Sequence, residues 1–112
     1  MRLLRTSVSI AAVACALAAP AAPVTAPAVI TQAQSGRAYT LAKGREVSLR
    51  LSGRWSWTQP RVSGPGLELT PVLYFRDPGF SEWRVAAVAR GTFTIRSHGT
   101  PARSFVVTIR VT

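Results

Sequence analysis

The sequence is poor in the residue types that most enzymes use for chemistry. Cys15 is the only cysteine, His98 is the only histidine, and there are four acidic residues. The acidic residues are Glu46, Glu68, Asp77 and Glu82. A catalytic triad needs a histidine beside both a nucleophile and an acid, and a metal site typically needs three or more ligands. We therefore expect no enzyme activity, no metal site and no cofactor.

The N-terminal segment has the layout of a secretory signal peptide. Arg2 and Arg5 precede an apolar, uncharged run over residues 6–19, and patterns of small residues follow. Ala16-Leu17-Ala18, Ala26-Pro27-Ala28 and Thr31-Gln32-Ala33 all offer cleavage sites of the small-x-small kind. We prefer the cut after Ala28 and expect residues 1–28 to be removed. The apolar run is shorter than the roughly 20 residues of a membrane span, and we expect no stable span after cleavage.

Cys15 leaves open a second form of export, as a lipoprotein acylated at this residue. A bulky aliphatic residue usually stands three positions before such a cysteine, whereas Ala12 stands there in this sequence. We therefore favour a cleaved, secreted or cell-envelope-associated protein over a lipoprotein. Without Cys15 the mature protein has no thiol, which excludes disulfides and thiolate metal sites.

Beyond the leader the sequence alternates between apolar and polar residues, as strands with one buried face do. We interpret residues 29–36 as a tether and 37–112 as the folded domain, with Leu67–Phe75 as one extended segment. No convincing period of 3.6 residues appears after Arg37. The positions predicted to face inward are Val47, Leu49, Leu51, Trp83, Val85, Ala87, Phe105, Val107, Ile109 and Val111. About seven short strands predict an all-β, immunoglobulin-like antiparallel β-sandwich, with a small Greek-key barrel as the alternative.

Two further groups of residues could be structural or could bind a partner. Trp55 and Trp57 stand two apart on a predicted strand and share one face, and the alternation predicts that they point inward. The formal charge of +10 attracts anionic partners. Arg50, Arg96 and Arg110 fall at outward positions and form a candidate basic face for an anionic envelope polymer. Export and the lack of a recognition motif disfavour nucleic acid as the partner.

The strand layout over residues 40–112 resembles the chagasin-type inhibitors of papain-like cysteine proteases. The matching segments are Val47-Ser48-Leu49-Arg50-Leu51, Trp55-Ser56-Trp57, Gly91-Thr92-Phe93-Thr94-Ile95 and the alternating last strand. The resemblance implies a secreted immunoglobulin-like sandwich. It also implies that three loops at one end of the sandwich would carry any inhibitory activity.

The three loop motifs of that family are largely absent from this sequence. Its Asn-Pro-Thr-Thr-Gly-aromatic loop is reduced to Gly53-Arg54 before Trp55, and its Gly-x-Gly-Gly turn to Pro78-Gly79-Phe80. Only Thr100-Pro101 stands in place of its Arg-Pro-aromatic loop. The candidate partner-binding residues are Gly53, Arg54, Pro78, Gly79, Phe80, Thr100 and Pro101.

Two functional hypotheses follow from these patterns. The first is a non-catalytic binding module for an extracellular protein or an anionic envelope polymer. The alternative is inhibition of a papain-family cysteine protease, which requires the loops near Gly53, Gly79 and Thr100-Pro101 to meet at one end. Polymer binding by the basic face is the more remote variant of the first hypothesis.

Overall fold

Strands make up nearly all the regular structure of residues 24–112, the part of the chain that the computed structural model describes. Most of the predicted signal peptide lies outside these residues. The elements are β1 (Val24–Thr25), β2 (Val29–Thr31), a 3₁₀ turn (Gln32–Gln34), β3 (Ala38–Leu41), β4 (Glu46–Ser52), β5 (Ser56–Trp57), β6 (Arg61–Val62), β7 (Leu67–Val72), β8 (Phe80–Ala87), β9 (Gly91–Thr100) and β10 (Arg103–Val111). None of the helical structure in this range is long and apolar enough to span a bilayer.

The strands form two sheets. Sheet A has the order β1-β3-β10-β9-β5, with β6 also paired to β9, and sheet B has the order β2-β4-β8-β7. The sheets pack face to face, and the predicted immunoglobulin-like sandwich is confirmed over the Greek-key barrel. The core side chains are Ile30, Tyr39, Leu41, Val47, Leu49, Leu51, Leu67, Trp83, Val85, Ala87, Ile95, Phe105, Val107, Ile109 and Val111. The ten inward positions predicted in β4, β8 and β10 are therefore all buried, whereas Trp55 and Trp57, which are also predicted to point inward, are only half-buried.

The sheets are mixed rather than purely antiparallel. β1 and β10 both pair in parallel with β3, and β2 pairs in parallel with β4. Hairpins force antiparallel neighbours, but a segment that crosses between sheets can run parallel to its new neighbour. From Val24 onward, the described part of the chain starts in sheet A at β1, crosses to sheet B at β2 and returns to sheet A at β3. These short crossing segments bring the number of strands in residues 24–112 to ten, above the seven that we predicted.

The interpretation of residues 29–36 as a tether is wrong. Ile30 has no exposed surface and lies opposite Leu49 in the β2–β4 pair. Thr31 caps the 3₁₀ turn, since its hydroxyl accepts a hydrogen bond from the Ala33 N–H and its own N–H donates to the Gln34 side chain. A three-residue strand is too short to show a sequence period, which is why the alternation did not reveal it. A cut after Ala28, which stays a prediction, would remove β1 and leave β2 in place.

Replacing Ile30 tests whether β2 belongs to the fold. We expect Ile30→Ala to lower the free energy of unfolding by about 2–5 kcal/mol, the usual range for emptying a buried aliphatic site. Urea denaturation measures this change, with Leu73→Ala as the control because Leu73 is 91% exposed. If both substitutions change the free energy of unfolding equally and only slightly, residues 29–36 are a tether and β2 is not part of the fold.

Candidate functional site

Three connections between strands lie together at one end of the sandwich, which we call the loop end. They are residues 53–55 between β4 and β5, residues 73–79 between β7 and β8, and residues 101–102 between β9 and β10. Strand direction puts them there, because β4, β7 and β9 all finish at this end while β5, β8 and β10 begin there. The inhibitor hypothesis requires the loops near Gly53, Gly79 and Thr100-Pro101 to meet at one end, and in the structure they do.

The first and second loops touch through two glycines. The Gly53 N–H donates a hydrogen bond to the Gly79 carbonyl oxygen at 2.8 Å. A Cβ atom on Gly53 would stand only 2.9 Å from that oxygen, and Gly79 has a φ of +86°, a conformation that L side chains rarely adopt. The Asp77 side chain holds the turn by accepting a hydrogen bond from the Gly79 N–H at 2.8 Å. The contact therefore depends on glycine at both positions.

The first and third loops meet around Trp55. The Arg103 guanidinium lies over the Trp55 ring at 4.6 Å from its centroid, a favourable cation–π geometry. A Cβ atom on Gly99 would be 3.1 Å from the Trp55 Cβ and from a ring carbon of Trp57, so the absence of a side chain there lets both residues approach β9. The third loop itself is a tight hairpin turn, with a cis peptide bond before Pro101.

Trp55 and Trp57 are half-buried rather than fully inside the core. Their rings make an edge-to-face contact with centroids 6.0 Å apart, and the Trp57 indole N–H donates to the Ser52 carbonyl at 2.9 Å. Trp57 packs against the edge of the core, and Trp55 belongs to the loop end. The predicted strand is reduced to Ser56–Trp57 because the chain turns at residues 53–55. Alternation correctly predicts that Trp55 and Trp57 share one face. It does not show that the sandwich ends at residues 53–55.

The second loop is anchored to sheet B by one carboxylate. Glu82 on β8 is only 6% exposed, although its side chain lies on the outer face. It accepts hydrogen bonds from the Arg50 Nε–H, at 2.8 Å, and from the Tyr74 hydroxyl. Phe80 completes the cluster, with the Arg50 guanidinium 4.8 Å above its ring and Tyr74 in edge-to-face contact. A buried charge requires such partners, so the cluster holds residues 73–79 against the sheet.

The hydrogen bond from Tyr74 is the main cause of a lowered pKa at Glu82, and Arg50 acts in the same direction. Burial raises the pKa of Glu82 but does not outweigh these partners. The same hydrogen bond raises the pKa of the Tyr74 hydroxyl, because losing its proton would place two negative charges together. Glu82 is therefore ionised at neutral pH and Tyr74 keeps its proton.

The second loop exposes large apolar side chains that the sequence analysis assigned to a strand. β7 ends at Val72, so Leu67–Phe75 is not one extended segment. Leu73 is 91% exposed and Phe75 is fully exposed. The run Leu73-Tyr74-Phe75 directly before Arg76-Asp77-Pro78-Gly79 could have indicated an apolar loop, since Pro71 already argues for an edge strand.

The structure also locates the other candidate partner-binding residues. Arg54, Pro78, Thr100 and Pro101 are all exposed at the loop end. Phe80 is half-buried in the Glu82 cluster and acts as a support rather than a contact surface. The seven predicted residues are thus brought to one end of the molecule, together with Leu73 and Phe75, which sequence reasoning missed.

The predicted basic face of Arg50, Arg96 and Arg110 does not exist as one surface. Arg50 lies on β4 in sheet B and is paired with Glu82, whereas Arg96 and Arg110 lie on β9 and β10 in sheet A. All three point outward as expected, but the sheets face opposite directions. Alternation shows whether a side chain points in or out and does not show to which sheet its strand belongs.

His98 has no catalytic partner among the neighbours that the structure gives it. It is exposed on the outer face of sheet A, where its neighbours are Thr58, Gln59, Arg61 and Arg96. The adjacent Ser97 points inward, is buried and donates to the Thr58 carbonyl at 2.6 Å. Within residues 24–112 no three His, Cys, Asp or Glu side chains come close enough to hold a metal ion.

Comparison with known proteins gives matches in structure and none in sequence. No family model and no curated protein matches the chain. Its fold is similar to that of the cysteine protease inhibitor EhICP2 from Entamoeba histolytica, with a TM-score of 0.63, 13% identity and coverage of 84% of this chain and 100% of that one. It is also similar to amebosin, with a TM-score of 0.55, 18% identity and coverage of 81% and 100%. The resemblance to chagasin-type inhibitors is confirmed at the level of the fold.

The anchoring role of Glu82 predicts how stability depends on pH. Because the pKa of Glu82 is lowered in the folded state, its contacts stabilise the protein above the ordinary value of 4.5, and this contribution is lost as pH falls through the lowered pKa. We expect Glu82→Gln to cost about 1.5–3 kcal/mol at neutral pH and to reduce the loss of stability on acidification.

Thermal unfolding of the variant and of the unaltered protein, at neutral pH and at about pH 3, measures the cost at neutral pH and the loss of stability on acidification. Glu68→Gln is the matched control, since Glu68 is an exposed carboxylate on the neighbouring strand β7. The role assigned to Glu82 is wrong if the two variants respond alike at both pH values.

Proposed function

We propose that this protein inhibits papain-like cysteine proteases by inserting its loop end into the active-site cleft. The observation that carries the proposal is the meeting of three loops at one end of a sandwich. A similar solved structure with this fold is described as a cysteine protease inhibitor. The comparisons favour this function over the envelope-binding module that the sequence analysis placed first.

The shape of the loop end suits a narrow cleft. At its centre Gly53 and Gly79, which have no side chains, bring two backbones into direct contact. Leu73 and Phe75 are exposed beside this edge. Apolar and aromatic anchors around a central contact are typical of protease–inhibitor interfaces, which bury about 1,600 Å² in total.

The loops are held in place before any partner arrives. Glu82, with Arg50 and Tyr74, fixes the second loop, and Trp55 with Arg103 joins the first loop to the third. Loops that are already ordered lose little conformational entropy on binding, and this favours affinity. Because the loop end has no thiol, inhibition would come from occupying the cleft, and it would be reversible.

Because the loop motifs of the chagasin-type inhibitors are largely missing, we expect the second loop rather than the first to make most of the contact with a protease. Without an Asn-Pro-Thr-Thr segment the first loop is short, and Arg54 and Trp55 are the side chains it offers. The seven-residue second loop then supplies the larger part of the contact, through Leu73, Phe75 and Arg76. The leader-like residues 1–28 support a further part of the proposal, namely that the target protease lies outside the cytoplasm.

An assay with papain tests the proposed function directly. The purified protein should slow hydrolysis of a fluorogenic peptide competitively, with an inhibition constant below about 1 µM. Activity should return on dilution, and trypsin, a serine protease, should be unaffected. Full activity of papain and of related cysteine proteases at about 10 µM protein would overturn the proposal, since binding would then be too weak to matter.

Substituting Gly79 tests whether the contact between the first two loops forms the inhibitory edge. Gly79→Ala strains a positive φ at the loop end, and Gly44→Ala strains the same kind of φ, +90°, in the turn at the opposite end. Each should cost about 1–2 kcal/mol of stability. Only Gly79→Ala should raise the inhibition constant, by about tenfold or more.

Phe75 provides a second test, of the apolar part of the surface. Phe75 is fully exposed, so Phe75→Ala should leave the unfolding midpoint unchanged while raising the inhibition constant about tenfold. Val88→Ala is the control, because Val88 is also exposed but follows β8 at the other end of the sandwich. An equal effect of both substitutions on inhibition would exclude a contact through Phe75.

A further inference from the structure

Charge is distributed unequally between the two sheets. The strands of sheet A contain four arginines and no acidic residue, whereas those of sheet B contain two arginines and three glutamates. The remaining acidic residue, Asp77, lies in the loop between two strands of sheet B. The outer face of sheet A is therefore positively charged, and the acidic residues lie on the strands and loop of sheet B.

Two arginines on this face stand directly opposite each other. Arg61 on β6 pairs with Arg96 on β9, and both side chains are exposed on the outer face. Like charges at directly opposed positions of an antiparallel pair destabilise a sheet. The one ion pair within residues 24–112 joins Arg50 to Glu82, so neither Arg61 nor Arg96 has a carboxylate partner. This arrangement costs stability in the absence of an anion.

A groove lies over this pair, and it is lined by polar and basic groups. Its volume is about 360 Å³, and Thr58, Gln59 and His98 line it together with the two arginines. His98 stands two residues beyond Arg96 on β9 and therefore on the same face. We call this site the Arg61–Arg96 groove. It is large enough for an oxyanion and the atoms that carry it.

The floor of the groove is rigid. The Thr58 N–H donates to the His98 carbonyl at 2.8 Å, and the His98 N–H donates to the Thr58 hydroxyl oxygen at 3.0 Å. From the core side, Ser97 donates its hydroxyl to the Thr58 carbonyl. These bonds fix the backbone between β5 and β6 against β9, so that the arginines project from a preorganised surface.

We propose that the Arg61–Arg96 groove binds a phosphate or sulfate group. A guanidinium presents two parallel N–H donors that match the oxygens of such a group, and two guanidinium groups side by side suit its negative charge, which is about −2 for the free anion. The anion would also remove the repulsion between the two arginines. The groove includes none of residues 53–55, 73–79 and 101–102, although Gln59 also lies beside the second loop, and the proposal does not rest on protease inhibition.

The anion could be free or part of a polymer, and one titration separates these sources. Amide NMR shifts of the purified protein are followed with inorganic phosphate, inorganic sulfate and an inorganic polyphosphate, against sodium chloride at matched ionic strength. We expect shifts at Thr58, Arg61, Arg96 and His98 that chloride does not cause. Equal affinity per phosphate group indicates a free anion, and tighter binding of polyphosphate indicates a polymer; both support the groove.

Paired substitutions show whether the groove or the overall charge is responsible. Arg96→Gln should weaken phosphate binding by about tenfold or more, whereas Arg84→Gln, on the exposed outer face of sheet B, should not. In chloride alone, Arg96→Gln should unfold at the same temperature as the unaltered protein or a higher one, because a like-charge pair is removed.

Two results would overturn the proposal. The first is that phosphate and sulfate act on the unaltered protein no more strongly than chloride. The second is that Arg84→Gln weakens binding as much as Arg96→Gln, which would indicate general attraction by a basic protein. The titration of the unaltered protein decides the first point without relying on any variant.

Discussion

The packing of two apolar faces against each other is the constraint on which the rest of this structure depends. A domain without disulfides in residues 24–112 must derive its stability from the core, where each buried aliphatic side chain contributes about 1.5–3 kcal/mol. Leu49, Val85 and Ile109 have no exposed surface, and their strands cannot slide by one residue without turning these side chains to solvent. The registers of β4, β8 and β10 are thereby set, and so is the end at which each loop emerges.

With the strands held in register, the loop end and the outer face of sheet A present different chemistry. The loop end combines a thin backbone edge at Gly53 and Gly79 with exposed apolar side chains at Leu73 and Phe75. The outer face of sheet A is polar and basic, with Arg61 opposite Arg96. The two proposals concern these two surfaces, a protease at the loop end and an anion on sheet A.

Sequence patterns predicted the long strands well and the short ones poorly. Alternation over β4, β8, β9 and β10 extends for seven to ten residues, which is long enough to distinguish inward from outward positions. β2 has three residues and β5 has two, so neither shows a period. That is why Ile30 was placed in a tether and Trp55 in the core. The prediction of a strand through Leu73 is wrong for a different reason, because apolar character alone does not separate a loop from a buried strand.

By itself the sequence determined the all-β class, the identity of most core residues and the near absence of catalytic side chains, because these properties follow from local alternation and composition. Only the tertiary structure decided which strands share a sheet. It separated Arg50 from Arg96 and Arg110, and it placed Arg61 opposite Arg96. It also joined Gly53 to Gly79 across 26 positions of the chain, a contact that no local pattern contains. Such pairings depend on which strands become neighbours when the whole core is buried, and that choice is made by the chain as a whole.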